Sequence, residues 1–326
     1  MPSFVSVAFP HALVLSIRRG VECPNPESTI ADEAPHEGEI VALELLGKPV
    51  IAALKEDLVG RTEALKAAGV VPTLAIVRVG EREDDLSYER TALKRAEGLG
   101  IEVRRFVLAE DAGQDALMDV IAQVNGDTGI HGCLMFRPLP RAYDEEAACE
   151  ALDPAKDIDG IGRAALARVF TGRGEGFAPC TAAACLEMLD AYGIDVAGKR
   201  VAVVGRSLVI GRPVAMMLLE RNATVTVCHS RTQDLEQTVR EADVVVLATG
   251  RAKAYGAECF GEGQVILDVG INIDAEGALC GDADYEAAVS AVGETGAITP
   301  VPRGIGGVTT SVLMKHVVEA AEKVAF

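Results

Sequence analysis

Apolar residues recur every three or four positions across residues 41–68 (Leu45, Leu46, Val50, Leu54, Leu58), a spacing that predicts a helix ended by Gly69. Residues 72–79 form a short apolar run that predicts a strand, 80–86 a charged loop, and 87–99 a second helix stopping at Gly100. A strand over 101–108, a helix over 114–125 and a strand over 132–136 complete the first half, the last running into Arg137-Pro-Leu-Pro140. Later come a helix over 181–192, buried-type strands over 243–249 and 264–268, and a closing helix over 309–325. This alternation is the signature of an α/β layer architecture.

The most informative pattern lies between those halves. Four β-formers, Val201-Ala-Val-Val204, end in Gly205, a helical pattern opens after Gly211, and a second apolar run, Thr224-Val-Thr-Val-Cys228, follows. Strand, glycine-bearing turn, helix and strand form the unit that sets a pyrophosphate on a helix N-terminus. Ser207 stands where the usual fingerprint has its second glycine, so the bare pattern also fits an ordinary strand-turn-helix. Pro213 falls where a first-turn proline is tolerated. The second strand ends in His229-Ser-Arg231, without the Asp or Glu that binds a ribose 2′-hydroxyl. Ser230, Arg231 and Arg206 suit a 2′-phosphate, which favours NADP, although Ser230 also tolerates a free hydroxyl and leaves NAD open. Arg231 as a plain solvated charge is the competing reading.

Length and composition narrow the class. A chain of 326 residues suggests two domains, and 49% hydrophobic with 25% charged residues fits a globular protein. A net charge of −18 argues against a nucleic-acid partner. No apolar run reaches the roughly 18 residues of a membrane span. The 8 cysteines are scattered without metal-type spacing and read as reduced core residues, so no metal is expected and a cytoplasmic setting is. Residues 1–40 carry prolines at 2, 10, 24, 26 and 35 and no sustained period; they read as a disordered tail or an upstream mis-assigned start.

A series of segments then carries a specific likeness: Lys156-Asp-Ile-Asp-Gly160, Pro179-Cys-Thr181, Gly198-Lys-Arg200, Gly205-Arg-Ser207 with Gly211-Arg-Pro213, Asn222 through Ser230, Asp268-Val-Gly-Ile-Asn272, Gly281-Asp282 and Thr299-Pro-Val-Pro302. In this order and spacing the chain resembles the methylenetetrahydrofolate dehydrogenase/methenyltetrahydrofolate cyclohydrolase family over residues 42–325. The resemblance implies an N-terminal α/β folate-binding catalytic domain (41–170, with the closing segment 305–326), a C-terminal Rossmann-type dinucleotide-binding domain (171–304), and a cleft between them. It implies tetrahydrofolate derivatives as substrates, a homodimer through the Rossmann domains, and a closing helix packed on the first domain. By the same resemblance Gly205, Arg206, Ser207, Gly211, His229, Ser230, Arg231, Gly250 and Ile271 would bind cofactor, and Tyr88, Asp159 and Pro302 substrate. Tyr88 would stack on the aminobenzoyl ring and Asp159 would accept from two N–H groups of the pterin edge. Without the resemblance, Tyr88 reads as a half-buried helix residue and Asp159 as a turn acid.

The likeness fails at one constellation. The family's cyclohydrolase step uses a lysine four residues after the tyrosine and a glutamine opening a Gln-Leu-Pro-Leu-Pro segment; those positions here hold Ala92 and Phe136. Lys94, six residues from Tyr88, lies about 240° around a helix. Arg95 shares the Tyr88 face, but a guanidinium is a permanent cation with no capacity to act as a base. Arg303 replaces the family's usual glycine after Thr-Pro-Val-Pro, and could bind the folate glutamate tail if it projects into the cleft. The expectation is an NADP-dependent methylenetetrahydrofolate dehydrogenase whose hydrolase step is absent or impaired. The alternatives are the full bifunctional enzyme, a non-catalytic folate- or nucleotide-binding paralogue, and a dehydrogenase for a related pterin.

Overall fold

The structure is a computed structural model that describes residues 42–326; the expectation for residues 1–40 falls outside them. A two-residue strand, β1 (Leu43–Glu44), leads into helix α1 (Gly47–Ala67). The expected helix over 41–68 is thus corrected at its start. Leu43 N–H donates to the Gly296 carbonyl and Leu45 N–H to that of Ile298, so this backbone is committed to a sheet before the helix begins.

The first half places strand β2 (Thr73–Val79) between β3 (Glu102–Leu108) and β4 (Gly132–Met135), all parallel. Every residue of β2 is buried, as a central parallel strand covered on both faces requires. Helix α2 (Glu83–Glu97) joins β2 to β3, and α3 (Gln114–Gly126) joins β3 to β4. Helix α2 begins four residues before the expected 87, because Glu83, Asp84 and Asp85 are its first turn, where carboxylates complement the helix dipole. Arg78, inside β2, donates from Nε to Glu89 Oε2 of α2 at 2.8 Å, both side chains under 5% exposed. That buried pair ties α2 to the sheet one residue from Tyr88.

Two short helices, α4 (Glu145–Ala151) and α5 (Arg163–Thr171), precede α6 (Cys180–Ala191). Next come β5 (Arg200–Val204), α7 (Gly211–Glu220), β6 (Thr224–Cys228), α8 (Leu235–Arg240), β7 (Val244–Leu247) and β8 (Val265–Asp268). A small antiparallel pair, β9 (Asn272–Ile273) and β10 (Leu279–Cys280), then leads to α9 (Tyr285–Val292), β11 (Ala297–Ile298) and the closing α10 (Ile305–Ala325). The large sheet is six-stranded and parallel in the order β1-β11-β8-β7-β5-β6. From β5 the chain moves outward to β6, then crosses back to β7 on the other side. This reversal creates the crevice at strand C-termini where open α/β sheets take ligands.

Helix α10 packs on α1, α2 and α6. Arg61 of α1 grips Glu322 with two hydrogen bonds of 2.8 and 2.7 Å, and Lys315 reaches Glu187 of α6 at 2.7 Å. Beneath these ion pairs Val308, Val312, Leu313, Met314, Val317 and Val318 are buried, each such side chain stabilising by roughly 1.5–3 kcal/mol.

Candidate functional site: a cleft at the strand ends

The strand-to-helix turn at 205–211 is shaped by backbone. Gly205 has φ of +129°, and a Cβ there would meet the Ala248 carbonyl oxygen at 2.2 Å. A Cβ on Gly211 would meet the Gly205 oxygen, also at 2.2 Å. Ser207 replaces a glycine usefully: its Oγ accepts from the N–H groups of Ile210 (3.1 Å) and Gly211 (3.4 Å), satisfying donors at the start of α7. Arg206 and Ser207 are exposed beyond β5, and Ser230 and Arg231 are exposed beyond the adjacent β6. Among the described residues neither Arg206 nor Arg231 forms an ion pair. The His229 ring is half-buried and turned to its own loop, Nδ1 accepting from the Arg231 N–H at 3.1 Å.

Past β7, Asp282 fixes the next loop. Its carboxylate accepts from the N–H groups of Thr249, Gly250 and Arg251, from the Thr249 hydroxyl and from the Asn272 amide. Asp268 plays the same part past β8, accepting from Gly270, Asp282 and Ala283 at 2.9, 3.0 and 2.8 Å. Burial pushes the Asp268 carboxyl up to about 6, although the three N–H donors favour its charged form. The Gly281-Asp282 motif therefore reads physically as a lock on two loops.

Those loops open into a cleft of about 440 Å3 lined by Tyr88, Thr181, Gly250, Ile271, Gly306 and Thr309 among others. Pro302 lines an adjoining recess of about 220 Å3 that shares Val269, Gly270 and Ile271 with it. Tyr88, Gly250 and Ile271 thus meet in one space. Gly205 to Gly211 and His229 to Arg231 lie along the same C-terminal edge of the sheet, with only Ile210 of that turn reaching the cleft wall. Thr181, Thr249, Gly306 and Thr309 were not expected there. The pair Gly306-Gly307 was the available signal, since glycines in a helix's first turns cost stability unless something must approach closely.

In the turn ahead of α5, Asp157 and Asp159 divide two tasks. Asp157 is the turn acid, accepting from Ile161 and Gly162 N–H groups at 3.0 and 2.8 Å. Among the described residues, Asp159 accepts from no backbone N–H. Burial pushes its carboxyl up to about 6, against the opposing pull of the Arg137 cation. Burial, with Asp159 next, likewise pushes the Tyr88 phenol up. Cys180 and His316 fill in behind, with Sγ and Nδ1 3.6 Å apart and Nδ1 2.8 Å from the Ile158 carbonyl. Burial pushes His316 down to about 4, so the ring is a neutral donor to that carbonyl.

Ala92 is fully buried, and Phe136, 8% exposed, presents its ring edge-on to Tyr88 with centroids 5.8 Å apart. Arg95 donates to the Ser311 hydroxyl at 2.8 Å, while Lys94 is exposed. Arg303 turns to Glu44 at 3.2 Å, on the β1 side.

Comparison with known proteins fits this arrangement. The catalytic-domain pattern of tetrahydrofolate dehydrogenase/cyclohydrolase matches residues 45–159, and the NAD(P)-binding-domain pattern of the same proteins matches 179–325. The bifunctional protein FolD of Clostridioides difficile is 47% identical over 276 residues, 85% of this chain and 95% of that protein. The structure of the bifunctional FolD dehydrogenase/cyclohydrolase from Campylobacter jejuni superposes with a TM-score of 0.83 at 34% identity, covering 87% of this chain and 99% of the other. The Trypanosoma brucei FolD, solved with NADP and an inhibitor, gives 0.80 at 31% identity, covering 87% and 98%. No described helix is long and apolar enough to cross a membrane. With two family patterns spanning both halves and relatives matched almost end to end, the chain belongs to the tetrahydrofolate dehydrogenase/cyclohydrolase family and carries its NAD(P)-binding domain.

Proposed function

We propose that this protein oxidises 5,10-methylenetetrahydrofolate to the 5,10-methenyl form with NADP, and that it has lost most or all of the cyclohydrolase step. The observation carrying the second part is the Phe136 ring packed against Tyr88 beside a fully buried Ala92. Where the family resemblance places a lysine and a glutamine, the wall is apolar and offers no group to activate water. Arg95, the nearest cation on that helix face, stays protonated and is engaged by Ser311.

The dehydrogenase requires no comparable base, because the methenyl product spreads its charge over two nitrogens. NADP, when bound, supplies the hydride acceptor. The chain's own residues provide position. Asp159, with its carboxylate unclaimed by backbone, accepts from two N–H groups of the pterin edge, and Tyr88 stacks on the aminobenzoyl ring. Gly205 and Gly211 admit a pyrophosphate to the start of α7 because a Cβ at either would meet backbone. Arg206 and Arg231, without an ion pair among the described residues, favour with Ser230 a 2′-phosphate over a free hydroxyl. His229, Gly250 and Ile271 complete the cofactor side and Pro302 the substrate side. On this reading 41–170 with 305–326 is the folate-binding unit and 171–304 the dinucleotide unit. The T. brucei relative with its bound NADP supports the cofactor assignment. A homodimer is expected through the Rossmann unit, whose β6 is an edge strand with Thr224, Thr226 and Val227 exposed.

The test is a paired spectrophotometric assay on one preparation. NADP reduction should follow addition of 5,10-methylenetetrahydrofolate, while added methenyltetrahydrofolate should decay no faster than in buffer. Decay at an enzymatic rate would overturn the loss of hydrolysis. Absence of reduction with NADP and with NAD would overturn the dehydrogenase.

A further inference from the structure

Helix α2 carries Tyr88 into the cleft wall, yet its buried face has little shape with which to fix where that ring stands. The buried stripe of α2 is Asp85, Glu89, Ala92 and Ala96. Its apolar members are two alanines, and Tyr88 and Leu93 pack on the core only partly buried. Large side chains meshing with their neighbours normally set the rotation and height of a packed helix. This stripe supplies none.

A charged grip stands in their place. Arg78 is the one charged residue of the wholly buried β2 and, among the described residues, the most deeply buried arginine or lysine. Its Nε donates to Glu89 Oε2 at 2.8 Å, and its Nη1 donates to the Gly80 carbonyl in the loop between β2 and α2. Arg105 of β3 donates from Nε to the other oxygen, Glu89 Oε1. One carboxylate of α2 is therefore held at both oxygens from two neighbouring strands, which resists sliding and rolling of the helix. A buried ion pair adds little net stability over apolar side chains of similar volume. Directional bonds to two strands do fix register. Tyr88 lies one residue before Glu89, about 100° around the helix. A roll of α2 about this anchor would carry its ring away from the edge-on contact with Phe136.

We propose that Glu89, gripped by Arg78 and Arg105, is a positioning residue for the dehydrogenase, acting through Tyr88 on the aromatic ring of the substrate. The assignment rests on the folate reading of Tyr88. In 5,10-methylenetetrahydrofolate the aminobenzoyl ring is bonded to one of the two nitrogens that flank the methylene carbon. A displaced ring therefore swings the hydride donor away from the nicotinamide, and hydride transfer tolerates little misplacement. The cofactor side, built on main chain past β5 and β7, does not depend on the grip.

The experiment replaces the buried pair by apolar side chains of similar size, Arg78→Met/Glu89→Leu, and leaves Arg105, whose side chain is 49% exposed, free to turn to solvent. The double variant should melt no lower than the unaltered protein. Its kcat/KM for 5,10-methylenetetrahydrofolate should nevertheless fall about tenfold through misplacement, with KM for NADP unchanged. Tyr88→Leu tests the route: it should lower folate kcat/KM strongly in the unaltered protein and far less in the double variant, because coupled residues are not additive. A folded double variant with full folate kcat/KM, or a Tyr88→Leu loss of equal size in both backgrounds, would overturn the proposal while leaving the dehydrogenase standing. Where the double variant fails to fold, Arg105→Gln decides. It removes one of the two contacts from a half-exposed side chain and should lower folate kcat/KM about threefold, with Arg105→Lys restoring most of the loss. No loss in Arg105→Gln would then overturn the grip. A harmless Tyr88→Leu in an active protein would remove the folate reading of Tyr88, and the positioning role with it.

Discussion

The two ends of the cleft are built differently. At the dinucleotide end, the shape comes from main chain: glycines with no room for a Cβ, and loops held by Asp268 and Asp282 through N–H groups. At the proposed pterin end, the proposed chemistry rests on side chains of α2 and of the turn after β4, where Ala92 is buried and Phe136 packs edge-on against Tyr88. A main-chain site fails when its scaffold changes. A side-chain site can exchange its reaction while the scaffold stays intact, and the proposed loss of hydrolysis uses that freedom.

The sharpest challenge to this contrast is a single methyl group. Gly211→Ala places a Cβ against the Gly205 carbonyl and should lower kcat/KM for NADP by about a hundredfold, as overpacking of a tight contact does; a change under threefold would mean the turn yields easily. Asp159→Asn should cost about thirtyfold in kcat/KM for the folate, since an acceptor of two N–H groups becomes in part a donor. The same residue predicts a pH effect. With its carboxyl at about 6, KM for the folate should fall as pH rises from 5 to 7 and level off above, and Asp159→Asn should abolish that wave. The sign for stability is opposite. A folded-state value of about 6, above the usual 3.8, means this group's contribution declines as pH rises between those two values and levels off above them. Thermal melts of free protein between pH 4 and 7 would read it.

A smaller effect is expected where cations face solvent. Arg231→Gln should shift the ratio of kcat/KM for NADP over NAD by about tenfold toward NAD, and an unchanged ratio would return Arg231 to the status of a surface charge. The mildest expected change is a gain. Ala92→Lys/Phe136→Gln should raise methenyltetrahydrofolate decay to a slow but measurable rate while dehydrogenation persists. No gain in a folded double variant would show that more than those two side chains separates the activities.

Much of this was legible in the sequence because the relevant signals are local. The β5-turn-α7-β6 unit announces itself through Val201 to Val204, Gly205, Gly211 and the run ending at Cys228. What stayed hidden depends on distant partners. Strand β1 is two residues long and was absorbed into the helical spacing around Leu45, because only pairing with Ala297 and Ile298 makes it a strand. Strand β11 and the β9-β10 pair were missed for the same reason. Glu83 to Asp85 read as a loop because clustered charge marks both loops and first turns. In the site, Tyr88, Gly250 and Ile271 line one cleft, while Thr181 and Thr309 join them through packing of α6 and α10 that no local pattern encodes.

The interlacing of the chain has a kinetic consequence. Leu43 pairs with Ala297, so the earliest-made strand of the described fold awaits a partner 254 residues further along. At roughly 5–20 residues per second of synthesis, that strand waits some tens of seconds before its edge is covered. The last helix, α10, then clamps α1 from the opposite end of the sequence. Neither half should be obtainable alone by cutting between the two family patterns, and completion of the final helix, rather than of either sheet, should be the event after which a nascent chain resists protease.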